Sequence, residues 1–128
     1  MNTDDFRRLA LAFDTAVEGA HMDHPDFRAH GRIFATLHAD MKTGMVKLTP
    51  EEQRDAIRDH PRAFSPESGA WGRQGCTRVH LAAADEEAVG EALTLAWKAT
   101  VKSKTATGPR SRRPAGSGSR SAPRYRRK

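Results

Sequence analysis

Between Gly69 and Gly75 the sequence reads Gly-Ala-Trp-Gly-Arg-Gln-Gly, which sets an indole (Trp71), a guanidinium (Arg73) and an amide (Gln74) among glycines that allow close backbone approach. These groups suit nucleic acid: Arg reaches phosphate or a guanine edge, and Trp stacks on bases or wedges between them. The competing reading folds Trp71 back over the core beside Phe64 and leaves Arg73 solvated. A second cationic group lies toward the C-terminus, where Arg110, Arg112, Arg113, Arg120, Arg124, Arg126, Arg127 and Lys128 surround Tyr125. Such a segment neutralises phosphates by counterion release without reading sequence, and its aromatic ring can stack. Anionic lipid or an acidic protein would be attracted by the same charge.

Other reactive side chains are scattered. His21, His24, His38 and Asp23 could in principle offer nitrogen and oxygen ligands, but neither a Cys pair nor an HExxH pattern accompanies them, so no metal is expected. Cys76 and Ser68 flank the Trp71 segment and His80 follows. Four residues of extended strand separate Cys76 from His80 by roughly 13 Å, too far for a local nucleophile and base. The pairs Asp4-Asp5, Glu51-Glu52 and Glu86-Glu87 each fall in the first turn of an expected helix, where the dipole favours them. No catalytic residue, no cofactor and no enzymatic activity are therefore expected.

The elements that must position these groups follow from period and caps. Phe6, Leu9, Ala10, Phe13, Ala16 and Val17 form one apolar stripe, predicting a helix from Asp4 to Glu18 capped by Thr3 and ended by Gly19. From His21 to Leu48 the period becomes two. Phe27 to Ala29 and Arg32 to His38 make a hairpin across His30-Gly31, with Ile33, Ala35 and Leu37 on an apolar face and Phe34 on the other. A turn from Asp40 to Gly44 leads to a strand from Met45 to Leu48. Thr49-Pro50-Glu51-Glu52 starts a second helix with a capping box, and Pro61 ends it at His60. Arg62 to Gly75 reads as a long loop with one short strand. Thr77 to Leu81 is a further strand, and Asp85 caps a helix whose Val89, Ala92, Leu93, Ala96, Trp97 and Val101 face the core.

The result is an α+β domain over residues 1–103, an antiparallel sheet with helices packed on one side in the order α-β-β-β-α-(β)-β-α. A basic tail rich in Arg, Ser, Pro and Gly, expected to be disordered, occupies 104–128. Residues 1–100 hold 12 Lys/Arg against 16 Asp/Glu, whereas residues 101–128 hold 10 and none, so the basic character belongs to the tail. Within the domain the acids concentrate on the helices. Arg28, Arg32, Lys47, Arg73 and Arg78 fall on the strands and loops, which makes the helix-free sheet face the basic one. No apolar run approaches the roughly 18 residues of a membrane span, and the start carries Asp4 and Asp5 rather than a basic leader. With a single cysteine, the expected setting is the cytoplasm and the expected state a monomer.

Three stretches sharpen the assignment: His24-Pro25-Asp26-Phe27-Arg28-Ala29-His30-Gly31-Arg32-Ile33-Phe34-Ala35-Thr36-Leu37, Met45-Val46-Lys47-Leu48-Thr49-Pro50-Glu51-Glu52-Gln53, and Gly69-Ala70-Trp71-Gly72-Arg73-Gln74-Gly75-Cys76-Thr77-Arg78-Val79. In order and spacing they resemble the MmcQ/YjbR family over nearly all of residues 4–101. Cys76 stands where such sequences often carry Trp. The resemblance implies a CyaY-like α+β fold and DNA binding through a double-wing arrangement. DNA is the expected partner, with RNA the other nucleic acid such cations would hold, and an adaptor domain for a protein or small ligand is the alternative.

If the domain ends where the apolar pattern stops, limited proteolysis should trim the tail to about Lys104 and leave the melting transition unchanged. A trimmed product that no longer folds would place the boundary elsewhere.

Overall fold

A computed structural model describes residues 1–21 and 24–106. Asn2, rather than Thr3, caps the first helix, α1 (Thr3–Leu11). Its Oδ1 accepts the Asp5 N–H at 2.9 Å, and the Asp5 carboxylate accepts the Asn2 N–H at 3.0 Å. These bonds hold the Asp5 carboxyl below its ordinary pKa.

The helix also stops earlier than its stripe predicts. Val17–His21 leaves the helical period to form strand β1, which pairs antiparallel with β2 (His24–Ala29). Pairing with a neighbouring strand outweighs local periodicity here. Phe13 still packs against the core from the intervening turn, stacking on Trp97 with ring centroids 5.7 Å apart. Trp97 anchors that turn by donating to the Asp14 carbonyl at 2.9 Å. Gly19 is thus a strand residue and not a helix cap. A Cβ on it would come within 3.0 Å of Asp26 Oδ1.

The hairpin between β2 and β3 (Arg32–Leu37) turns as expected at His30 and Gly31, both with positive φ, 56° and 77°. Its register is less regular. Phe27 pairs with Ala35 and Arg28 with Ile33, so Phe34 is an extra residue opposite that step. The bulge buries Phe34 and Ala35 together, both fully, while Ile33 is only partly buried and joins no core cluster. Phe34, expected on the mixed face, therefore belongs to the core, whereas Ile33, expected in it, does not.

Strand β4 (Thr43–Lys47) follows a turn held by Asp40, whose Oδ1 accepts the Lys42 and Thr43 N–H groups at 2.8 and 3.0 Å. Helix α2 (Pro50–Asp59) begins at the expected box, with Glu52 N–H to Thr49 Oγ1 at 3.1 Å and Thr49 N–H to Glu52 Oε1 at 3.0 Å. The expected loop contains strand β5 (Phe64–Pro66) and a one-turn helix, α3 (Gly69–Arg73). Strand β6 (Cys76–His80), a 3-10 turn at Leu81–Ala83 and α4 (Glu86–Ala106) complete the described residues, with Ala88 N–H donating to Asp85 at 2.7 Å.

All pairings are antiparallel in the order β1-β2-β3-β4-β6-β5. Helices α1 and α4 pack together, with α4 crossing β2, β3 and β4, and α2 adds Ala56 and Ile57 beside β5 and β6. The core between them holds Phe6, Phe27, Phe34, Phe64, Val89 and Leu93. Leu37 is buried as expected, and Phe13 and Trp97 lie at the margin of that core. Helix α4 continues past Val101 to Ala106.

The bulge makes a direct test. Phe34→Ala should lower stability by about 3–5 kcal/mol and Ile33→Ala by less than about 2 kcal/mol in denaturant unfolding. Equal costs would show that Phe34 is not the core residue.

Candidate nucleic-acid interface

Register defines the face of the sheet opposite α1 and α4. Gly19, Asp26, Thr36, Met45, Arg78 and Ser65 lie side by side in one row across all six strands. The neighbouring row, with Phe27, Ala35 and Val46, faces the core. Side chains alternate along a strand, so a sheet covered on one face presents its polar row on the other.

Two of the five domain cations expected on this face already have partners. Arg28 grips the buried Asp26 carboxylate with both Nε, at 2.9 Å, and Nη2, at 3.1 Å, which raises its pKa further. Arg78 donates twice to Glu67 Oε1, at 3.3 and 2.9 Å, and His38 Nε2 meets Glu67 Oε2 at 2.6 Å. Glu67 thus joins β3, β6 and the segment entering α3, and it takes most of the charge of Arg78 out of play. His80, which shows no pairing with Cys76, meets Ser65 Oγ at 2.8 Å instead.

Arg32, Lys47 and Arg73 are exposed and make no hydrogen bond or ion pair among the described residues. Arg32 and Lys47 line one concavity of about 180 Å³ with Glu52 of α2 and Ala96, Ala99 and Thr100 of α4, so Arg32, paired across strands with the buried Ala29, stands on the helix side of the sheet and not on the open face expected for it. Lys47 also pairs across strands with Cys76, directly after the α3 turn that carries Arg73. The three unpaired cations therefore gather at one end of the sheet. The far part of α4 passes the same end, and the chain runs on from it. The tail cations Arg110, Arg112, Arg113, Arg124, Arg126 and Arg127 lie outside the described residues.

Helix α3 fits against the sheet by close backbone approach. A Cβ on Gly72 would lie 1.8 Å from the Glu67 carbonyl oxygen, and Gly75 combines φ +111° with a Cβ position 2.0 Å from the Leu48 oxygen. Gln53 on α2 pins the turn from beneath, its buried Nε2 donating to the carbonyls of Gly72 at 3.0 Å and Cys76 at 2.9 Å. Trp71 is consequently held outward, 66% exposed, and does not fold over Phe64. Beneath its ring lies a second concavity of about 210 Å³ lined by Thr36, His38, Met45, Glu67, Ser68 and Cys76. Gln53 and Glu67 were not picked out by sequence, and His38 only as a candidate metal ligand. A glutamine on the inward side of an amphipathic helix was the one local signal available.

Cys76 itself is buried, and burial pushes its thiol pKa up; the Lys47 charge opposes this and Glu67 adds to it. Among the described residues no group of three His, Cys, Asp or Glu side chains is placed to hold a metal ion, and no helix is long and apolar enough to cross a membrane.

The family model for YjbR matches residues 11–99, from the end of α1 through most of α4. The chain belongs to the YjbR family. A solved YjbR-type structure, the Deinococcus radiodurans protein DR2400 with its DUF419 domain, is 20% identical with a TM-score of 0.62, covering 84% of this chain and 80% of that one. At this identity the likeness establishes the shared fold. No curated protein matches the chain.

Because the thiolate is the reactive form, a raised pKa leaves less of it at neutral pH. Cys76 should then be alkylated more slowly than free cysteine at neutral pH, with its rate still climbing at pH values where that of free cysteine has levelled off. A neutral-pH rate equal to that of free cysteine would mean that the α3 turn does not cover it.

Proposed function

We propose that this YjbR protein binds nucleic acid, DNA in the first instance, at the end of the sheet that carries Arg32, Lys47, Arg73 and Trp71, with the basic tail adding sequence-independent affinity. The observation that supports this reading is selective pairing. Asp26 and Glu67 take up Arg28 and Arg78, while three cations at one end keep their donors free and stand beside an exposed indole. An anionic polymer would meet unpaired charge at that end of the sheet. Residues 1–100 carry more acids than bases, so the domain's own contribution must be local rather than a broad field.

The tail and the domain are separable by salt. Deleting residues 107–128 removes eight Lys/Arg, which should flatten the log affinity against log salt slope on duplex DNA by at most about 7, at roughly 0.9 per phosphate, and weaken all sequences alike. In the truncated protein, joint Arg32→Ala, Lys47→Ala and Arg73→Ala should abolish what remains. Replacing Arg7 and Arg8, which are engaged with Asp4, Glu18, Asp5 and Glu86, should leave it intact. If the truncated domain binds no nucleic acid at low salt, while a peptide of residues 107–128 binds as tightly as the whole chain, the domain is not the reader. An adaptor role for the open face then takes first place.

A further inference from the structure

The concavity beneath Trp71 is lined by none of the unpaired cations, although Lys47 lies opposite its lining residue Cys76 and Arg73 shares α3 with Trp71. Its floor is Met45 and Thr36, its wall is the Glu67 carboxylate with His38, and Ser68 and the Trp71 ring form the rim. At about 210 Å³ it falls below the roughly 300–1,000 Å³ of pockets that enclose drug-sized ligands, so it suits one small planar group. Several polar atoms around it lack partners among the described residues: the Thr36 and Ser68 hydroxyls and His38 Nδ1. Glu67 accepts three hydrogen bonds and retains acceptor capacity. The site therefore combines an aromatic face for stacking with both donors and acceptors for a ring edge.

Its surroundings narrow the occupant. Lys47, opposite the pocket residue Cys76, and Arg73, two residues from Trp71, are exposed near this pocket without acidic partners among the described residues, and so are available to the anionic groups that flank a base. A peptide strand would instead seek backbone donors and acceptors at an exposed edge. The edges here are β1 and β5, whereas the pocket lies on the face, over β3, β4 and β6.

We infer that the pocket beneath Trp71 takes a single unstacked nucleobase, its flanking phosphates held by Lys47 and Arg73, so that the domain prefers single-stranded or locally opened nucleic acid over intact duplex. The inference rests on the nucleic-acid reading above and adds the substrate class. A base inside a duplex cannot reach a pocket on the sheet face unless it is first extruded, which costs unstacking energy that a single strand does not incur.

The test uses the full chain and three probes at matched low salt: a short single strand, the corresponding abasic sugar-phosphate chain, and the duplex. Trp71→Ala should weaken single-strand binding roughly 5- to 150-fold while changing the abasic and duplex probes by less than about 2-fold, since only the first offers a stacking base. Trp71→Phe should retain most of the affinity. Backbone resonances of Thr36, Met45 and Ser68 should shift on adding deoxyadenosine monophosphate and not on adding inorganic phosphate. Equal weakening of all three probes, or of none, overturns the base pocket while leaving nucleic-acid binding in place. Failure of the whole chain to bind any of the three, with no shift from the nucleotide, overturns both.

Discussion

An antiparallel sheet buried on one face must leave its other face to water, and the arrangement of charge in this protein follows from how that second face is built. Phe6, Phe27, Phe34 and Phe64 fill the space under α1 and α4 without exposure. Alternation then sends Thr36, Met45 and Arg78 outward in register. Burying four phenyl rings, at about 25 cal/mol per Å² of apolar surface, fixes the register so strongly that the composition of the open face is not free to drift.

On that face charge pairing does the sorting. A buried carboxylate left without a partner is costly, so Asp26 and Glu67 demand Arg28 and Arg78 as neighbours. Cations without such a partner remain available to an external anion. Arg28 and Arg78 therefore serve the architecture, whereas Arg32, Lys47 and Arg73 have no acidic partner among the described residues. Residue type does not distinguish the two groups, and neither does the strand or loop on which each lies.

The Trp71 turn shows the same division of labour. Gly72 and Gly75 permit an approach that any Cβ would block, and Gln53 satisfies two carbonyls that this approach buries. With the backbone seated so tightly, the indole has no room inward and stands over a pocket. The exposed aromatic ring is a consequence of close packing beneath it.

Local signals gave an accurate reading at most places where the chain's own neighbours decide conformation, the cap of α1 being an exception. The Thr49 to Glu52 capping box, the His30-Gly31 turn, the Asp85 cap and the Val89 to Ala96 stripe each involve residues within a few positions of one another, and each stands as written in the sequence. The motifs that carry the YjbR resemblance have the same local character. Contacts between distant residues decided the rest. Val17–His21 became a strand because β2 offered it hydrogen bonds, and Phe34 turned inward because a bulge opposite Phe27 and Arg28 shifted the alternation. Which arginines stay free depended on carboxylates brought near by the fold: Glu67 lies eleven residues from Arg78 and twenty-nine from His38, yet it holds both. Sequence by itself determined most of the elements and the inventory of charges. Only the tertiary structure decided which of those charges remain unpaired, because pairing depends on distance in space, and the separation of residues along the chain does not determine that distance.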